Sequence, residues 1–170
     1  MKKLSVLFAA LLAGAASATL VVAADTKTKE EGEIRGLEQR FAAAFKAKDV
    51  NAIMAVYVPD QSLFIFDVVP PRQYVGTDAY RKDFENFFAA YPGPVEFELN
   101  DLEIVAGGNV AFSHSIQHVV LTDKDGKKTD LTARVTDGYR KVNGKWLIVL
   151  EHVSVPVDLD TGKADLSSKP

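Results

Sequence analysis

Asp67 follows directly on Leu63-Phe64-Ile65-Phe66 and shortly precedes Pro70-Pro71, so an apolar run, a carboxylate and a stiff loop meet within eight residues or so. A carboxylate at such an edge loses part of its hydration. That raises its pKa and makes it a better base for a proton α to a carbonyl. The competing reading is a loop carboxylate that caps backbone amides. Asp137 lies inside the β-forming run Val135-Thr136-Asp137-Gly138-Tyr139, where propensity disfavours Asp unless a site demands it. Its alternative role is a structural partner of Arg134 or Arg140.

The chain has three histidines. His114 and His118 alternate with Phe112 and Ile116, which predicts one shared face. At about 3.3 Å per residue their Cα atoms stand roughly 13 Å apart, too far for one metal to take both easily, so they are expected as pocket or core groups and no metal is expected. His152 has the strand parity of Trp146, Ile148, Leu150 and Ser154 and is expected to face the same interior as the tryptophan, as a polar contact for a ligand carboxylate or carbonyl. Tyr74, Phe84 and Phe88 supply aromatic area near the expected pocket, with plain core packing as the alternative for Phe84 and Phe88. Arg134 has the opposite parity from Asp137, so without a bulge only one faces inward. Asp137 is the first choice and Arg134 the second.

Other chemistries lack their residues. The sequence contains no cysteine, which removes disulfides, thiolate nucleophiles and cysteine-bound zinc together. It has no phosphate-cradling glycine loop, dinucleotide fingerprint, nucleophile elbow or basic stripe, so no cofactor is expected. A net charge of −3 argues against nucleic acid or anionic membrane as a partner.

The elements that must position these residues follow from periodicity. Met1-Lys2-Lys3, an apolar alanine-rich run and Val22-Ala23-Ala24 form a charged start, a hydrophobic segment and a small-residue cleavage site, which predicts an export leader over residues 1–24 and a periplasmic or secreted protein. An uncleaved anchor is the alternative. Residues 25–32 are polar and are expected as a flexible lead-in, with one pocket domain over 33–158 and a poorly ordered polar tail over 159–170. Ile34, Leu37, Phe41, Ala44 and Phe45 recur at helical spacing. Asp49 is placed to cap a second helix through Tyr57, and Thr77 to cap a third through Phe88. Leu63 to Phe66 reads as a buried strand. Runs near 95–105, 110–122, 129–142 and 146–155 read as four long strands joined by Gly107-Gly108, Asp125-Gly126 and Asn143-Gly144 turns. The order α-α-β-α-β-β-β-β predicts an α+β fold in which a strongly curved, mostly antiparallel sheet wraps three N-terminal helices as an open cone.

The opening Gln39-Arg40-Phe41-Ala42-Ala43-Ala44-Phe45 through Ala55-Val56-Tyr57 and the closing Arg134-Val135-Thr136-Asp137-Gly138-Tyr139-Arg140 with Gly144-Lys145-Trp146-Leu147 resemble the SnoaL-like and ketosteroid-isomerase-like superfamily, which has the nuclear-transport-factor-like cone. The closing hairpin also resembles the association domain of calcium/calmodulin-dependent kinases. The resemblance implies Asp67 at the position of the general base and Asp137 at that of the protonated acid that polarises the substrate carbonyl. The position of that site's tyrosine holds Phe41, which has no hydroxyl, and Tyr57 is the candidate replacement. His152 matches the association domain's pocket histidine. The implied roles are a small-molecule pocket, with a cofactor-free isomerase or cyclase as the alternative, and a homo-oligomerisation module as another. A homodimer is expected through the outer sheet face, assigned to Ala111, Ser113, Ser115 and Gln117.

Overall fold

The computed structural model describes residues 13–168. The opening of the leader expected over residues 1–24 lies outside them. Helix α1 (Ala13–Ala47) buries Ile34, Leu37, Phe41, Ala44 and Phe45 along one stripe, as the spacing predicts. The lead-in over 25–32 is continuous helix rather than loose chain, and Glu30 within it is buried and accepts from Lys141 Nζ at 3.1 Å. Among the described residues no helix is long and apolar enough to cross a membrane.

Helix α2 (Val50–Met54) starts at Asp49, whose carboxylate accepts the Ala52 amide at 3.0 Å. It is followed by β1 (Phe64–Phe66) and the short β2 (Tyr74–Val75), a strand the sequence reading missed. Helix α3 (Thr77–Ala90) buries Tyr80, Phe84 and Phe88. Thr77 does not cap it. Gly76 holds that position, and the Thr77 hydroxyl instead donates to the Val58 carbonyl at 2.7 Å, tying the helix start to the chain ahead of β1.

Four long strands complete the chain: β3 (Val95–Gly107), β4 (Val110–Thr122), β5 (Lys128–Val142) and β6 (Lys145–Ser154). They pair antiparallel in a meander, and β1 adds parallel to β6, giving the sheet order β2-β1-β6-β5-β4-β3. The fold is therefore the predicted α+β class, with a curved, unclosed sheet around the helices. Asn143 and Gly144 both have positive φ, as a tight two-residue turn between β5 and β6 requires. The described part of the tail is folded back: Val157 bridges Ala164, and the Thr132 amide donates to the Leu166 carbonyl at 2.7 Å. Its polar composition signalled solvent exposure, but its backbone finds partners.

Two irregularities set which side chains face the helices. In β5–β6 the register passes from Gly138 opposite Leu150 to Tyr139 opposite Ile148, leaving Val149 without a partner. This bulge reverses side-chain parity along β6. Trp146 and Ile148 face inward before it; Glu151 faces inward after it, and His152 turns outward. In β3–β4 a shift between Asn100 and Glu103 contains Asp101, which has positive φ.

Strand β4 is inverted relative to the sequence reading. Ser113, Ser115, Val119 and Leu121 are buried under the helices, whereas Phe112 and His114 are exposed on the outer face. The alternation was read correctly and its sign was not. Ser113 is accommodated inside by the Tyr139 hydroxyl at 2.7 Å, whereas the buried Ser115 hydroxyl has no partner among the described residues, so neither histidine parity nor small-residue parity identified the wet face.

Candidate functional site

A cavity of about 390 Å³ opens between α1, α3, the loop after β1 and the inner face of β3–β6. Its walls are mainly aromatic, with Phe41 and Phe45 from α1, Tyr80, Phe84 and Phe87 from α3, and Phe97 from β3. The rings meet edge-on and tilted, for example Phe45 and Phe97 at 5.1 Å and Tyr80 and Phe84 at 4.6 Å between centroids. Such contacts hold ring positions beyond simple area burial.

Three carboxyl groups line this space: Asp67, Asp83 and Glu151. Asp67 stands at the end of β1, where one oxygen accepts the Val68 amide at 2.5 Å and more weakly the Val69 amide at 3.4 Å. Burial raises its pKa, against the lowering by the Val68 amide, and the charge on Asp83 adds to the rise. One oxygen of Asp67 caps the loop, and the residue also lines the cavity. Asp83 accepts from the Tyr74 hydroxyl at 2.6 Å.

Glu151 forms the floor and was absent from the sequence reading. It is 5% exposed. Its two oxygens accept from the Tyr57 hydroxyl at 2.7 Å and the Tyr80 hydroxyl at 2.5 Å. Burial pushes its carboxyl up to about 7, although both phenols pull the other way. In turn, burial and the charge of Glu151 hold both phenols well above the ordinary tyrosine range, so they remain donors. Tyr57 is therefore a support for Glu151 rather than a cavity wall.

Behind the floor lies a second acidic group. Asp137 is the cross-strand partner of Glu151 and is 2% exposed, and its Oδ1 has no hydrogen-bond partner. Glu38 from α1 accepts from the Tyr139 hydroxyl at 2.8 Å, and Tyr139 also meets Ser113 at 2.7 Å. Burial pushes Glu38 up to about 7, and burial followed by the charges of Glu38 and Glu151 holds Asp137 well above the ordinary carboxylate range. Glu38 had a readable signal, since it falls four residues after Ile34 and three before Phe41, on the buried stripe.

The remaining expected site residues divide plainly. Phe41 and Phe84 line the cavity; Phe88 is core behind them, and Tyr74 reaches it only through Asp83. Trp146 is buried away from the cavity, with Lys141 Nζ 5.0 Å from its ring centroid. His114, His118, Arg134 and His152 are on the outer face, because β4 and β5 present those positions outward and the Val149 bulge turns His152 over. His118 meets Asp130 at 2.9 Å and Glu98 at 3.6 Å there, and His152 packs on Phe66 with 5.5 Å between rings. No group of three or more potential ligands that could hold a metal occurs among the described residues.

A cone of this topology with acids inside an aromatic chamber agrees with the family profile that matches the sequence: a SnoaL-like domain, over residues 34–158. The chain belongs to the SnoaL-like family. A solved structure similar to this SnoaL-like domain is an NTF2-like protein of unknown function from Pseudomonas putida, 34% identical, covering 84% of this chain and 98% of that one, with a TM-score of 0.76. A second, from Xanthomonas campestris, is provisionally assigned as a calcium/calmodulin-dependent protein kinase II association domain. It is 27% identical, covers 72% of this chain and 84% of that one, and has a TM-score of 0.62. A third, provisionally assigned as a scytalone dehydratase from Novosphingobium aromaticivorans, is 17% identical over 76% of this chain and 86% of that one, with a TM-score of 0.69, and speaks to the fold alone. No curated protein matches.

Proposed function

We propose that this SnoaL-like domain binds a small, largely apolar molecule, of which a carbonyl compound is one kind, in the aromatic cavity, oriented by the carboxyl groups of Asp67 and Glu151. The observation that carries this reading is a chamber of about 390 Å³ whose aromatic walls meet those two acids. Pockets for small ligands have this balance of apolar wall and few polar groups. Melting curves recorded with one- and two-ring apolar compounds, with and without a carbonyl, test it. Binding raises the melting temperature, and the absence of a rise with every compound would overturn it.

A second reading is proton transfer without a cofactor. Asp67 takes a proton from the carbon α to a bound carbonyl, and Glu151 in its acid form, held by Tyr57 and Tyr80, donates a hydrogen bond to the carbonyl oxygen. This gives to Glu151 the polarising role that the sequence placed on Asp137 or Tyr57, because Glu151 lines the cavity and they do not. Loss of the base in Asp67→Asn is expected to lower turnover by roughly 10²-fold or more. Unchanged turnover would remove Asp67 from the mechanism.

Export and self-association complete the proposal. Cell fractionation is expected to place the protein in the periplasm, with amino-terminal sequencing beginning after Ala24; recovery from the cytoplasm alone would contradict export, and Met1 at the start would contradict cleavage. The outer sheet face carries Val105 and Phe112, 47% and 50% exposed and directly paired across β3–β4, which favours a dimer through that face. Light scattering showing only monomer would reject it.

A further inference from the structure

The ionic character of the cavity is one-sided. Asp67, Asp83 and Glu151 line it, and no lysine, arginine or histidine does so among the described residues. Behind its floor stand two further carboxyl groups, Asp137 and Glu38. Lys48 Nζ, beside the cavity residue Tyr91, is spent on the carbonyls of Tyr91 and Gly93. The basic and imidazole groups that would receive an anion, Arg134, His114 and His152, point outward from the other face of the sheet.

A buried carboxylate without a cation is costly, and a second one beside it more so. The protein relieves part of that cost with the phenols of Tyr57 and Tyr80 on Glu151 and of Tyr74 on Asp83. These are neutral donors and leave the charge uncompensated. The aromatic walls independently favour the same kind of guest: the faces of Tyr80, Phe84 and Phe87 on α3 attract a cation within about 6 Å of a ring centroid. A ligand that brings its own positive charge therefore gains from both the acids and the rings, whereas an anion is opposed by both.

We propose that the cavity selects an organic amine, an ammonium group carried on a one- or two-ring apolar body, with the ammonium directed to Glu151 and Asp67. This rests on the reading of the cavity as a small-molecule site and narrows its ligand class. The ammonium donates charge-assisted hydrogen bonds to the carboxylates, and the ring body fills the space between Phe45, Phe84 and Phe97.

Three probes of one shape separate the possibilities: 2-phenylethylammonium, 2-phenylethanol and phenylacetate, each titrated calorimetrically into the full-length protein at pH 8. The amine is expected to bind at least tenfold more tightly than the alcohol, with no measurable binding of the acid. In Glu151→Gln the amine's advantage over the alcohol should fall by roughly tenfold, and Asp83→Asn at the half-exposed cavity wall, which leaves the floor intact, should lower it by a smaller factor. Should the alcohol bind as tightly as the amine, or the acid bind at all, the charge selection is wrong while the pocket stands. Binding of none of the three overturns the pocket and the amine together.

Discussion

Two rows of residues cross the same three strands one position apart. Ser113, Asp137 and Glu151 pair in one row, and His114, Thr136 and His152 in the next. The first is sealed under the helices and has acids without cations. The second meets water and has imidazoles that cost nothing to expose. The difference teaches that the site's chemistry depends on strand register more than on composition, because a shift of one residue exchanges the rows. In β6 a single unpaired residue, Val149, makes that exchange.

Inserting one residue between Leu150 and Glu151 is the most severe way to break the contrast. With Leu150 still opposite Gly138, the inserted residue takes the place opposite Asp137, which drives Glu151 outward and His152 into the acidic interior, with an expected loss on the order of 4 kcal/mol or more, or no folded protein. Urea unfolding reads it, and near-normal stability would show that the register beyond Leu150 does not set the facing of β6.

The inner row also predicts an inverted pH dependence. Glu38 and Glu151 have folded pKa values of about 7 against 4.5 for the free side chain. The folded state thus holds more protons than the unfolded state between these values. The stability contributed by the protonated groups is full below about pH 4.5 and is lost as pH rises through 7, on the order of 3 kcal/mol for each group. Melting temperatures should fall from pH 5 to pH 8, and Glu38→Gln should flatten the slope. A rise over that range would contradict the account.

Tyr139→Phe removes the donor to Glu38 and the contact to Ser113, with an expected cost of about 2 kcal/mol. Chemical denaturation measures it, and a neutral result would make the inner network incidental. At the small end, His114→Ala and His152→Ala on the outer row should each change stability by less than about 0.5 kcal/mol and leave ligand-induced melting shifts intact. A larger effect would give the outer row a role the structure withholds.

Much of the fold was legible. The helical stripe of α1, the Asp49 cap and the glycine turns of the meander are local signals, and each sits where the sequence puts it. Asp67 and Asp137 were legible because a carboxylate in an apolar or β-forming run is anomalous wherever it occurs. Facing was not legible. Alternation along β4 fixes two faces but not which one the helices cover, and exposed Phe112 with buried Ser113 and Ser115 reverses the usual guess. Glu151 was hidden for a different reason: no residue pattern in Trp146 to Ser154 announces the bulge, which lies where Leu150 packs close over Gly138 and Tyr57 bridges Ile148.

The central claim is that Glu151 is a desolvated acid at the floor of the cavity. Carboxyl-detected NMR of protein with labelled glutamate side chains measures it directly, with Glu151→Gln assigning the resonance. A carboxyl that titrates near pH 7 and disappears in the variant is expected. A Glu151 resonance that titrates near 4.5, as an exposed carboxylate does, would contradict it.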